Sequence, residues 1–340
     1  MEWFSLLVSF ATLSLLLHCT HAVPQVPCYF IFGDSLSDDG NNNGLSTLAK
    51  VNYPPYGVDY QQGPTGRFSN GKNIQDVIAE ELGFSSPIPP FASAGSNILN
   101  GVNYASGAAG ILPETGGVVG GRISLDMQLN NHKTIVSKFP PDLLSKCIYT
   151  MDIGSNDYIL NYFFPKSSPT AQQNTPQQFA AVLIRQYSQH IQTLYNDGAR
   201  KFALFAIGQI GCTPYAVAAF GTKGSPCVDA QNQAVGLFNE ALLSLVKELN
   251  TKMPDAKFTY INPYGFQSTG FVTNASCCKL EKGGQLCLPN SVPCSNRSQY
   301  AYWDGVHPTE AINILAGNVA YGTKSTSDAY PFNLQSLALE

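Results

Sequence analysis

The chain is poor in charge. Asp, Glu, Lys and Arg make up 12% of its 340 residues, against roughly a quarter in ordinary soluble domains. Its 19 basic and 23 acidic residues nearly cancel, so the basic surface that nucleic-acid binding requires is missing, and nucleic acid is excluded as a partner. Beyond residues 1–22 no apolar run approaches the ~20 residues of a membrane-spanning helix, which argues against stable membrane insertion. The 30 Gly and 22 Pro follow no period, and no unit of roughly 20 to 50 residues recurs, so collagen-like, linker-rich and solenoid architectures fall away. Histidine is scarce: outside residues 1–22 only His132, His190 and His307 remain, which leaves few candidates for imidazole catalysis near neutral pH.

What is present is apolar: 44% hydrophobic and 11% aromatic residues can bury a large core, and no linker divides the chain, so one domain over 23–340 is expected. Residues 1–22 read as a secretory signal. Trp3 to Leu17 are almost wholly apolar but too few to span a bilayer, and Thr20-His21-Ala22 sets small residues at the two positions a signal peptidase inspects. Without Cys19 the cysteines are even in number: Cys28, Cys147, Cys212, Cys227, Cys277, Cys278, Cys287 and Cys294, as an oxidising compartment favours. The last four crowd a Gly-, Asn-, Ser- and Pro-rich segment with no histidine among them, which favours loop-stapling disulfides over zinc. Two N-x-S sequons, at Asn274 and Asn296, lie in that segment and would carry glycan if it is a surface loop.

Short apolar runs at Cys28–Phe32, Cys147–Ile153, Phe202–Ile207 and Lys257–Ile261 read as buried strands, the first three ending at glycines. Helical spacing runs over Thr175–Asn196, Val228–Leu249 and Thr309–Tyr321, the last opened by Pro308. This alternation predicts a parallel sheet covered on both faces, with Ser35, Asn156 and the loop after Gly208 on the rim beyond the strands' carboxyl ends. The stretches Gly95–Gly121 and Asn262–Asn296 are expected to be irregular, substrate-facing loops.

Asp304 stands three residues before His307, close enough for its carboxylate to reach one imidazole nitrogen and leave the other facing outward. The plainer reading is that Asp304 and Thr309 cap the helix that follows. His132, among polar residues, and His190, in an amphipathic helix, are expected at the surface or the edge of the core. Ser35, just past the first strand, is the candidate nucleophile, or else an ordinary turn and cap residue. Ser37 occupies the fifth position of what would be a G-x-S-x-G elbow, so an α/β-hydrolase is disfavoured. Gly107 and Asn156 are placed to supply oxyanion donors, or to form a plain glycine turn and an Asx turn.

These pieces occur in one order: GDSLSDDGNNN at 33–43, GPTGRFSNGKNIQDVIAEELG at 63–83, VNYASGAAGIL at 102–112, IGSNDY at 153–158, GARKFALFAIGQIGCTP at 198–214 and WDGVHPTE at 303–310. Together they resemble the plant-type GDSL lipase/esterases of the SGNH-hydrolase superfamily, over nearly the whole chain after residue 22. The resemblance implies a three-layer α/β/α, flavodoxin-like fold with a central parallel sheet. It implies Ser35 as nucleophile, His307 as general base and Asp304 as its orienter, with the Ser35 N–H, the Gly107 N–H and the Asn156 side chain as oxyanion donors. It implies no metal and no organic cofactor, a small-molecule, lipid or cell-wall ester as substrate, and a secreted, extracellular enzyme. Lys279, where similar sequences carry Gly, and the Gly305-Val306 pair depart from the pattern without touching that set. Two alternatives stay open: an acyltransferase that passes the same acyl-enzyme to an alcohol, and a binding glycoprotein without turnover. Disulfide connectivity and oligomeric state are not legible.

Overall fold

Strand β1, Tyr29–Gly33, has every residue buried, the signature of a strand covered on both faces. In the computed structural model, which describes residues 23–164, 169, 173–222, 224–262 and 270–340, β1 pairs in parallel with β2, Ile148–Asp152. Then β2 pairs with β3, Lys201–Phe205, and β3 with β4, Lys257–Ile261, all parallel. A short antiparallel strand Ala329–Tyr330 closes the edge beside β4. The other edge is made by residues 100–106 running along β1: the Tyr29 N–H donates to the Asn100 carbonyl (2.9 Å), the Tyr104 N–H to Ile31 (2.8 Å) and the Ser106 N–H to Gly33 (3.1 Å). From β1 the chain therefore crosses first to one side, along 100–106, and then to the other, into β2. That reversal is the switch point where open α/β sheets present their binding crevice, and the order is flavodoxin-like.

Side chains alternate across the sheet. Phe30, Phe32, Tyr149, Met151, Phe202 and Leu204 face helices α2 (Leu125–Val136), α3 (Pro176–Asn196) and α4 (Asp229–Lys252). Tyr29, Ile31, Ile148, Ala203 and Phe205 face α1 (Ile74–Glu81), α5 (Glu310–Gly322) and α6 (Leu334–Leu339). Capping boxes start two of these helices: Thr175 and Gln178 before Pro176 in α3, and Asn73 with Asp76 in α1. The signal segment expected at residues 1–22 lies outside the described residues.

Two expectations are corrected. The stretch Asn262–Asn296 contains a strand, β5 (Val272–Ser276), paired with Tyr300–Tyr302. Three of its five residues, Thr273, Asn274 and Ser276, are polar and none is fully buried; the disulfides of Cys277 and Cys278 follow it directly. His132 lies fully buried in the core. Its sequence neighbours are polar, but α2 turns the stripe of Leu125, Gln128, Leu129 and His132 toward the sheet. There the ring meets Phe30, Phe32 and Tyr149 edge-on and bonds the Tyr104 hydroxyl at 3.1 Å. Burial pushes its pKa down to about 3, so it stays neutral. His190, buried where α3 meets α2, is bonded to Asp126 (2.9 Å). All eight cysteines pair, as Cys28–Cys147, Cys212–Cys227, Cys277–Cys294 and Cys278–Cys287.

The loop after β1 is tied to α1 by Arg67, buried between two carboxylates. Its Nε and Nη2 donate to Asp76 at 2.7 Å each, and Nη2 lies 3.1 Å from Asp39. Removing the cation strands two buried carboxylates. Arg67→Ala is expected to cost about 3–5 kcal/mol, and a loss under about 1 kcal/mol in a urea titration contradicts this reading of the triad.

Candidate active site

Ser35 sits one residue beyond Asp34 at the carboxyl end of β1. Gly33 allows the turn because a Cβ there would come within 2.8 Å of the Asp152 carbonyl. The Gln128 side chain clamps Gly33, accepting from its N–H (3.0 Å) and donating to its carbonyl (2.8 Å). This residue escapes sequence reading because an isolated Gln on a helix carries no signal.

From the other end of the chain, the segment before α5 brings His307 over this turn. His307 Nε2 lies 2.8 Å from Ser35 Oγ, and Nδ1 lies 2.8 Å from Asp304 Oδ2. Thr309 alone caps the helix, so Asp304 is free for the imidazole. Its Oδ1 accepts the N–H groups of Val306 (2.9 Å) and His307 (2.7 Å), which fixes the carboxylate plane. Phe68 packs on the His307 ring at 4.8 Å between centroids. Gly305 is required by close approach: a Cβ would meet the Gln285 backbone at 2.9 Å.

Asn156 stands in a helical turn after β2, with one amide N–H given to the Ala109 carbonyl (3.0 Å) and the other left for the cleft. Gly107 departs from expectation: its N–H donates to Asp38 Oδ2 at 2.8 Å and is not free for an oxyanion. A Cβ there would strike the Phe68 ring and Asn42 at 2.7–2.9 Å, so Gly107 is needed for packing behind the site. The next residue, Ala108, has φ +67° and lines the cleft with Ser35, Asn156 and His307. Among the described residues neither its N–H nor that of Ser35 has a protein acceptor.

These groups open into a cleft of about 1350 Å³. Leu36, Leu48, Val118, Val119, Ile159 and Leu160 supply apolar wall, and Gln209, Tyr215, Glu281 and Gln285 supply polar wall. Residues from Gly95–Gly121, from Asn262–Asn296 and from the loop after Gly208 thus all reach it. Asn274 and Asn296 are both exposed. Among the described residues no cluster of His, Cys, Asp or Glu is arranged to hold a metal ion, and no helix is long and apolar enough to cross a membrane.

Comparison with known proteins gives one consistent result. A model of the GDSL-like lipase/acylhydrolase family matches residues 29–319. Two GDSL esterase/lipases of Arabidopsis thaliana are 49% identical over 336 residues and 50% identical over 338, with 93% of each chain covered in both cases. Among solved structures, the phospholipase A1 of Streptomyces albidoflavus aligns with a TM-score of 0.40 at 14% identity, covering 86% of this chain and 96% of that one.

The ground beneath Ser35 is rich in buried carboxyls. Asp34 is held well above the usual carboxylate range by burial and then by the charge of Asp152, and among the described residues its Oδ2 has no partner. Burial also raises Asp152. Burial pushes Asp38 up to about 6 against three backbone N–H donors, and Asp157 to about 6. A carboxyl raised in the native state keeps a proton that the unfolded chain releases near pH ~4. Between those values the native state binds more protons, so stability falls as pH rises. The thermal midpoint is therefore expected to drop from pH 5 to pH 8. Asp34→Asn, which installs a neutral isostere, should shrink the drop, and an unchanged slope contradicts the assignment.

Proposed function

The chain belongs to the GDSL-like lipase/acylhydrolase family of carboxylic ester hydrolases, and from that premise we propose that it cleaves acyl esters through Ser35, His307 and Asp304. The observation that carries the reading is the unbroken relay of two 2.8 Å hydrogen bonds from Asp304 through His307 to Ser35. Ser35 Oγ attacks the ester carbonyl carbon while His307 Nε2 takes its proton. Asp304 holds the imidazole in the required tautomer and balances the imidazolium. The oxyanion is held by the Ser35 N–H, the free Asn156 amide N–H and the Ala108 N–H, the last in place of the committed Gly107 N–H. His307 then returns the proton to the departing alkoxide. Water repeats the cycle on the acyl-enzyme, breaking the Ser35 ester and releasing the acid.

The proposal extends to compartment. A secretory signal over residues 1–22 followed by one hydrolase domain over 23–340 accords with four disulfides and with exposed sequon asparagines at 274 and 296. The substrate would then be an extracellular lipid or cell-wall ester. A second reading is acyl transfer to an alcohol, for which the cleft of about 1350 Å³ leaves room beside the acyl ester. A product ester formed on adding a polyol acceptor would identify it.

Ser35→Ala and His307→Ala are each expected to lower kcat by about a thousand-fold or more, and near-normal turnover in either variant overturns the scheme. Asn156→Ala is expected to lower kcat by about 10²-fold or more with a smaller change in KM; an effect confined to KM would make Asn156 a substrate-binding residue instead.

A further inference from the structure

The segment VNYPPYGVDY at 51–60 has no part in the mechanism above, yet it sends one side chain to the centre of it. Tyr56 is 1% exposed, and its hydroxyl donates to Asp304 Oδ2 at 2.7 Å while accepting the Cys287 N–H at 3.0 Å. A carboxylate can only accept, so the phenol's single proton has one place to go. Burial, and then the Asp304 charge, hold this phenol well above its ordinary pKa, so the proton is never released.

With that bond Asp304 has four donors: two backbone N–H groups on Oδ1, and His307 Nδ1 with the Tyr56 hydroxyl on Oδ2. Asp304 is fully buried, so no exposed face is left where solvent could stand in for a missing donor. The Tyr56 ring is packed edge-on against Tyr53, Phe68 and Trp303, and Phe68 in turn lies on His307. Cys287, which fixes the phenol oxygen from behind, is stapled to Cys278. Tyr53, against the Tyr56 ring, turns its hydroxyl away to the Cys287 carbonyl at 3.0 Å, and Glu281, whose charge acts on Tyr53, lines the cleft beyond it.

We propose that Tyr56 is a positioning residue of the ester-cleaving site, locking Asp304 Oδ2 against His307 and moderating its negative charge, and that the Cys278–Cys287 loop acts on catalysis through it. This rests on the reading of Ser35, His307 and Asp304 as the catalytic set. Without the hydroxyl, Oδ2 loses one of its two anchors, so His307 is oriented less strictly. Asp304 also keeps more charge for the imidazolium, which therefore persists to higher pH.

The test is Tyr56→Phe, which retains the packed ring, assayed on a soluble acyl ester beside wild type and Ser35→Ala. The expected result is kcat reduced about ten-fold with KM within about two-fold, and an acid limb of kcat/KM moved to higher pH. A purely structural role would lower the thermal midpoint without moving that limb. A limb that stays in place or moves to lower pH, or a kcat within about two-fold of wild type, overturns the proposal. If Ser35→Ala turns over normally, the catalytic reading itself has failed; if Ser35→Ala is inert while Tyr56→Phe matches wild type, only the role of Tyr56 has.

Discussion

The hydrogen bond between Ser35 Oγ and His307 Nε2 joins residues 272 positions apart, and the rest of the architecture is arranged around closing that distance to 2.8 Å. Neither partner is held by its own segment alone. Ser35 is fixed from below by the β1–β2 pairing and by Gln128, whereas His307 rides on a loop whose position depends on α5. The segment between Gly63 and Gly83 bridges the two. Arg67 grips Asp39 in the loop that carries Ser35, Phe68 lies on the imidazole, and the Asn70 side chain accepts the Glu310 N–H at the start of α5 (2.8 Å). The two residues are held by separate elements that meet only through the sheet, so the geometry of the site depends on the integrity of the whole fold.

Much of that fold was legible in the sequence because a parallel sheet buried on both faces writes itself as short apolar runs. The four parallel strands and the helices α3, α4 and α5 fall within a few residues of their expected bounds. Ser35 was legible from its place just past the first strand, and the Asp304–His307 contact from a three-residue spacing that the turn before α5 closes into a hydrogen bond. What escaped has a common cause. Whether the Gly107 or the Ala108 N–H is free depends on the placement of Asp38, a long-range fact that no local motif encodes. Gln128 and Tyr56 act through atoms whose partners lie far away in the chain. Strand β5 is mostly polar and adjoins disulfides whose pairing the spacing leaves open, and His132 reads as a surface or core-edge residue because its sequence neighbours are polar.

The low charge content takes on meaning in the same light. Several of the few carboxyls sit buried behind Ser35, most of them bonded to backbone N–H groups, side chains or Arg67. Asp38 gathers Gly40, Asn41 and Gly107; Asp157 gathers Ile111, Leu112 and Thr115. They act as fasteners for the loops that form the rim. A loop tied down by a buried carboxylate has fewer positions open to it, and the proposed oxyanion donors lie on such loops.

The central claim is that Ser35 is an activated nucleophile, and the most direct measurement is fluorophosphonate labelling of the disulfide-intact protein followed by peptide mass spectrometry. A single covalent adduct on Ser35 is expected, formed rapidly in the wild type and lost in His307→Ala. An adduct on another residue, or none on folded protein, would contradict the claim.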